Sequence, residues 1–73
     1  MINSSAVANM LLYLTGTAGM TMLDIALRLQ VTESAVYRWS TGGRIPQRRN
    51  RRGLERLYNR IRSKIEASRN GGI

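Results

Sequence analysis

The side chains best equipped for chemistry in this chain are its arginines. Eleven of the 12 basic residues are Arg, against only 4 Asp and Glu, for a net charge of +8 on 73 residues. A guanidinium is a planar fork of donors, better suited to phosphate and guanine edges than an ammonium. Its distribution is one-sided. Residues 1–43 balance Arg28 and Arg38 against Asp24 and Glu33, whereas residues 44–73 set ten basic side chains against Glu55 and Glu66. Such an excess points to a polyanion, with nucleic acid first and an anionic membrane second. The same inventory excludes most catalysis. Cys and His are absent, which removes disulfides, thiolate zinc sites, thiol nucleophiles and the usual proton shuttle. Asp24 and Glu33 occupy helix starts, and Glu55 and Glu66 would stand about 16 Å apart on one helix, too far for paired acid–base work. No Gly-rich phosphate loop or metal-ligand spacing occurs. The expectation is a binding protein, not an enzyme, with no catalytic residue, cofactor, metal or small-molecule substrate.

A chain of 73 residues makes one small domain. Such a domain buries only about 60% of its unfolded surface, so a partner subunit would help it. The longest apolar run, Met10–Leu14, is far too short to span a bilayer. No basic stretch precedes an apolar one at the N-terminus. Together these features lead to the expectation of a soluble cytoplasmic protein with no membrane partner.

The elements that must carry the charge are helical. Asn3, Ser4 and Ser5 offer caps ahead of Val7, Met10, Leu11 and Leu14, one stripe at helical spacing that should stop at Thr15-Gly16. Thr21 with Asp24 three residues on resembles a capping box, and Ile25, Ala26 and Leu29 form a short apolar face. Thr32 caps a third helix that turns Val36 and Trp39 inward and ends at Gly42-Gly43. The last helix begins between Gln47 and Gly53, with Leu54, Leu57, Tyr58, Ile61 and Ile65 on one face. Arg52, Arg56, Arg60 and Lys64 form a basic ridge at intervals of four, and Glu66 can pair with Arg62 one turn back. No segment alternates with a period of two. The expected fold is therefore all-α, a small domain of four or five helices over residues 1–68 with a flexible tail at 69–73.

Residues 21–39 have the arrangement of a helix-turn-helix. Ala26 is small where two helices cross closely, Leu29 and Val31 bracket the turn, and Trp39 belongs to the core rather than to a stacking platform. Met10, Met20 and Met22 fit as gap-filling core or boundary residues. The third helix is left with an exposed face of Glu33, Ser34, Tyr37, Arg38 and Thr41. The N-terminal part of a recognition helix is what reaches base edges in the major groove. The stretch from Asp24 to Trp39 resembles the phage Cro/CI repressor (XRE-like) helix-turn-helix family. The string Ala35-Val36-Tyr37-Arg38-Trp39, followed by Ile45-Pro46, is especially similar to small Cro-type repressors. The likeness covers roughly residues 21–61, with the motif at about 21–41 and a basic C-terminal helix at about 50–68. Gln30 stands where the family prefers Gly, which implies either a left-handed residue under modest strain or a different turn. Met22 replaces the Gln that touches phosphate in many members, and the Arg-rich link from Gln47 to Gly53 looks longer than usual.

The resemblance implies a sequence-specific regulator of transcription. It would be a Cro-like repressor that binds a near-palindromic operator in double-stranded DNA as a homodimer, in a bacterial cytoplasm and encoded by phage or host. Carried over onto matching positions, Glu33, Ser34 and Arg38 are the base-reading candidates, with Tyr37 against a thymine methyl or a phosphate. Thr32 and Thr41 become backbone contacts through hydroxyl or main-chain donors. Arg44, Arg48, Arg49, Arg51, Arg52 and Arg56 lie beyond the reading face, where a link and following helix would run along the phosphate backbone. Tyr58, Ile65 and Ile73 exceed what one small core needs and are the expected dimer surface. Rival readings are a DNA-packaging or recombination accessory protein of the terminase small subunit or excisionase type, and an RNA binder using Gln47–Arg62 as an arginine-rich helix. A membrane-surface helix is disfavoured because Leu54–Ile65 is sparse in bulky apolar residues.

Overall fold

A computed structural model describes residues 4–71, and the fold over them is all-α. In chain order the elements are α1 (Ser4–Leu12), a π-helical turn (Tyr13–Thr17), α2 (Met22–Leu29), α3 (Glu33–Ser40) and α4 (Arg48–Gly71). The cap expected at Asn3, and Ile73 of the expected dimer surface, lie outside the described residues. Helix α1 does not stop at Thr15-Gly16 as its composition suggests, but widens into the π turn and ends at Thr17. The Thr15 hydroxyl donates to the Leu11 carbonyl at 2.9 Å, the back-bonding that Thr makes inside helices. The Ala18 N–H meets the Tyr13 carbonyl at 3.0 Å, so the widened turn still satisfies its backbone. It delivers Leu14, fully buried, to the core.

Both ends of α2 and α3 are closed by their own residues. The capping box at Thr21 is complete: the Asp24 N–H donates to Thr21 Oγ1, and the Thr21 N–H donates to Asp24 Oδ2, each at 3.0 Å. At the far end of α2, Gln30 adopts φ 59 and ψ 44. There the Val31 N–H reaches the Ala26 carbonyl at 3.0 Å, and the Gln30 N–H reaches the Leu27 carbonyl at 3.4 Å. These are the two bonds of a Schellman motif with Gln30 in the position usually held by Gly. Helix α3 ends in a second such motif, in which Gly43 and Gly42 donate to the Arg38 and Trp39 carbonyls at 3.1 and 3.3 Å. Here Gly42 supplies the positive φ of 80 without steric cost.

One core holds the helices together. Val7, Met10, Leu11 and Leu14 meet Ile25 and Ala26 of α2, Val36 and Trp39 of α3, and Leu54 and Leu57 of α4. Met20, Met22, Leu29, Val31, Tyr58 and Ile61 pack around it, partly buried. Helix α4 begins at Arg48, inside the expected window from Gln47 to Gly53, and runs past residue 68 to Gly71. No Ser, Thr or Asp marks its start. The Gln47 carbonyl instead accepts the Arg51 N–H at 2.8 Å. The Arg-rich segment is therefore helix, not link, and Arg69 in the last turn complements the helix dipole. At 24 residues the helix is about 36 Å long, nearly the 41 Å long axis of the domain. No single helix among the described residues is long and apolar enough to cross a membrane.

Candidate nucleic-acid interface

Helix α3 is started by Thr32, whose extended backbone leaves Oγ1 to accept the Ala35 N–H at 3.1 Å. From that start, the turn geometry commits Val36 and Trp39 to the core, at 0% and 4% exposure. Glu33, Ser34, Tyr37 and Arg38 are all exposed. With Met22 from the first turn of α2, these four line one shallow concavity. The structure thus brings together every residue expected on the base-reading face. Tyr37 keeps 61% of its surface exposed, an aromatic ring presented beside an acceptor, a hydroxyl and a forked donor. Glu33 lies in the first turn and Arg38 in the last. Each charge therefore also suits the helix dipole, and neither has a salt bridge among the described residues.

The two threonines behave differently from the donors expected of them. Thr32 has its hydroxyl oxygen occupied as the cap, although the hydroxyl hydrogen is not used in that bond. Thr41 has both donors committed inside the chain. Its hydroxyl donates to the Arg38 carbonyl at 3.1 Å, and its N–H donates to the Tyr37 carbonyl at 3.1 Å. A phosphate contact from Thr41 would have to break one of them, so its part is to finish α3. Arg44 is exposed and shares a neighbouring hollow with Arg38, Gln47 and Asn50. It adds a second arginine beside Arg38, toward the start of α4.

The arginines of α4 do not act as one set, because a helix divides them by register. At 100° per residue, Arg49 and Arg51 point about 160° apart, while Arg49, Arg56 and Arg60 fall within about 40° of one another. Arg51 is half-buried, and Arg48 and Arg52 are exposed on the flank between. The Arg49 flank is the one that faces α2. There Arg28, Arg56 and Arg60 surround Leu29, Gly53 and Leu57 in a groove. Gly53 permits the close approach of the two helices, since a Cβ in its place would lie 3.0 Å from Leu29 Cδ2. Arg28, Gln47 and Asn50 have no periodicity that marks them in the sequence. The one sequence signal for this groove is the isolated Gly inside a helical pattern, which usually has a packing reason.

The Asp24 carboxyl is held below its ordinary value, first by the Thr21 backbone N–H and the Thr21 hydroxyl, with a smaller contribution from Arg28. Arg62 and Glu66 pair at 3.8 Å on the exposed surface, which is worth little to stability. Of the residues expected at a dimer surface, Tyr58 is half-buried by its own chain. It meets Tyr13 edge-on, with ring centroids 5.4 Å apart, and Arg62 lies 5.5 Å from its ring. Ile65 is half-exposed one turn beyond Ile61. In comparisons with known proteins the chain matches no family model, no curated protein and no solved structure.

Proposed function

We propose that this protein is a sequence-specific regulator of transcription that binds double-stranded DNA as a homodimer, in the manner of a Cro-like repressor on a near-palindromic operator. One observation carries the reading. Glu33, Ser34, Tyr37 and Arg38 stand exposed together on a capped helix, in a chain of net charge +8. An Arg fork can hold guanine O6 and N7, Glu can accept from cytosine N4, and Ser serves either base. Arg44 beside this face, with Arg48 and Arg52 exposed on one flank of α4, supplies the backbone attraction that makes binding salt-dependent. A single reading helix covers too few base pairs for specificity, which is why two subunits are needed. Duplex DNA is favoured over an arginine-rich RNA helix because the exposed cluster of Glu33, Ser34, Tyr37 and Arg38 stands on α3, outside the arginine-rich helix.

The test is selection of bound duplexes from a random pool by the purified full chain, followed by footprinting of the enriched sequence. The expected result is two half-sites centred about 34 Å apart, occupied by a dimer in sedimentation. Enrichment of no sequence, preference for RNA hairpins, or a monomer on a single half-site would overturn it. A pair of half-sites without this spacing would favour the packaging or recombination reading.

A further inference from the structure

The basic surface does not end at the reading helix. Arg38 lines both the base-reading concavity and the hollow beside it, which contains Arg44, Gln47 and Asn50. Gln47 and Asn50 continue into the hollow at the α2–α3 turn, where Arg49 joins them. Arg49 and Asn50 next border a hollow with Arg28, Gly53 and Arg56. Arg28 and Arg56 then line the groove that ends at Arg60. Each hollow shares residues with the next, so a path of adjoining concavities runs from α3 across the domain to the crossing of α2 and α4. Glu33, at its start, is the one carboxylate among its lining residues. Asp24, the acid nearest Arg28 along α2, has its carboxylate oxygen engaged by the Thr21 N–H. Glu55 lies about 100° around α4 from Arg56, and Glu66 is on the same far flank.

From this we infer that the groove at Gly53 is a second phosphate seat, built by Arg28, Arg56 and Arg60, which takes the DNA backbone flanking the sequence read by α3. The inference rests on the function proposed above and deepens it. Three arginines line one groove together with Leu29, Leu57 and Gly53, where a Cβ would meet Leu29. No carboxylate lines this groove, so its arginines repel one another, and a bridging anion removes that repulsion. Phosphodiester oxygens accept the parallel donors of Arg forks, and a duplex offers a charge every about 1.7 Å of its axis. The residues contact no base in this reading. The seat adds affinity and length of contact but no sequence choice.

The experiment compares two duplexes carrying the selected site, one ending at the half-sites and one extended by a helical turn on each side. Both are measured with the wild-type chain and with the Arg28→Gln/Arg60→Gln variant. These side chains are exposed, and an unchanged circular-dichroism spectrum and melting temperature verify the variant's fold. The wild type is expected to bind the extended duplex about tenfold more tightly near 0.1 M salt. Its log K against log salt should be steeper by about 0.9 for each phosphate gained. In the variant both differences should vanish, while affinity for the short duplex and the preferred sequence stay as they were. Selective binding with no gain from extension, or a gain that the variant keeps, overturns the second seat and leaves the reading face standing. Equal losses on both duplexes place these arginines on the core site and also overturn it. Failure of the wild type to select any duplex overturns the proposed function, and the seat with it.

Discussion

Replacing Gln30 with Gly should stabilise the domain, and the size of the gain follows from two opposing contributions. Gln30 sits at φ 59 and ψ 44, where a residue with a Cβ is crowded by its own carbonyl at a cost of roughly 1–2 kcal/mol. Gly removes that cost. It also widens the unfolded ensemble, which returns about 0.4–1 kcal/mol. The Schellman bonds from Gln30 and Val31 are main-chain bonds and survive the change. The Gln30 side chain is exposed, so little is lost with it. The net gain is about 0.5–1 kcal/mol, which raises the melting temperature of a domain this size by roughly 2–8 °C. Thermal unfolding followed at 222 nm, at one fixed protein concentration, measures it. Gln30→Ala keeps the Cβ and should gain nothing, whereas Gln30→Val should lose stability because branching at Cβ aggravates the crowding. A Gly variant that melts at or below the wild type would refute the left-handed turn and the strain assigned to it.

Thr32→Ala removes the cap of α3 and should lower stability by about 1 kcal/mol, with Thr32→Ser restoring most of it in urea denaturation. Asp24 gives a pH signature. Its carboxyl is lowered from 3.8, so its contribution is fully present above about pH 4 and disappears as pH falls through the depressed value. Melting temperature measured from pH 5 to 2 should therefore fall less steeply in Asp24→Asn than in the wild type. Tyr58 and Ile65 should separate in behaviour. Tyr58→Ala should lower the melting temperature at any concentration, because it removes the contact with Tyr13. In the proposed dimer, Ile65→Glu should instead raise the dissociation constant at least about tenfold in sedimentation, since an unpaired charge at an apolar interface is costly.

What could be learned from the sequence was whatever local geometry decides. Thr21 with Asp24, Thr32, and Gly42-Gly43 mark helix ends because their bonds span only a few residues. The spacing of Val36 and Trp39 divides α3 into an inner and an outer face, and that alone gathers Glu33, Ser34, Tyr37 and Arg38. Beyond these local bonds, composition misleads. Thr15-Gly16 looks like a stop, yet burial of Leu14 and the hydroxyl bond to Leu11 carry the helix through a wider turn. Helix α4 starts on a Gln47 carbonyl, which no side-chain pattern announces. The separation of Arg49 from Arg51, and the meeting of Arg28 with Arg56, depend on the register of α4 and its packing against α2. Only the tertiary arrangement holds that information.

The most direct test of base reading by α3 is equilibrium binding of Arg38→Ala to the selected duplex and to a random duplex, side by side at one salt concentration. Arg38 is exposed beside Tyr37 and Glu33, so its loss leaves the core intact and the melting temperature nearly unchanged. Affinity for the selected duplex should fall by about 1–3 kcal/mol per half-site, because a guanine loses both partners of its fork. Affinity for the random duplex should fall by no more than one phosphate contact accounts for. Arg38→Lys should fail to restore the difference, since an ammonium lacks the paired donors. Equal losses on the two duplexes would contradict base reading by Arg38 and reduce it to a phosphate contact.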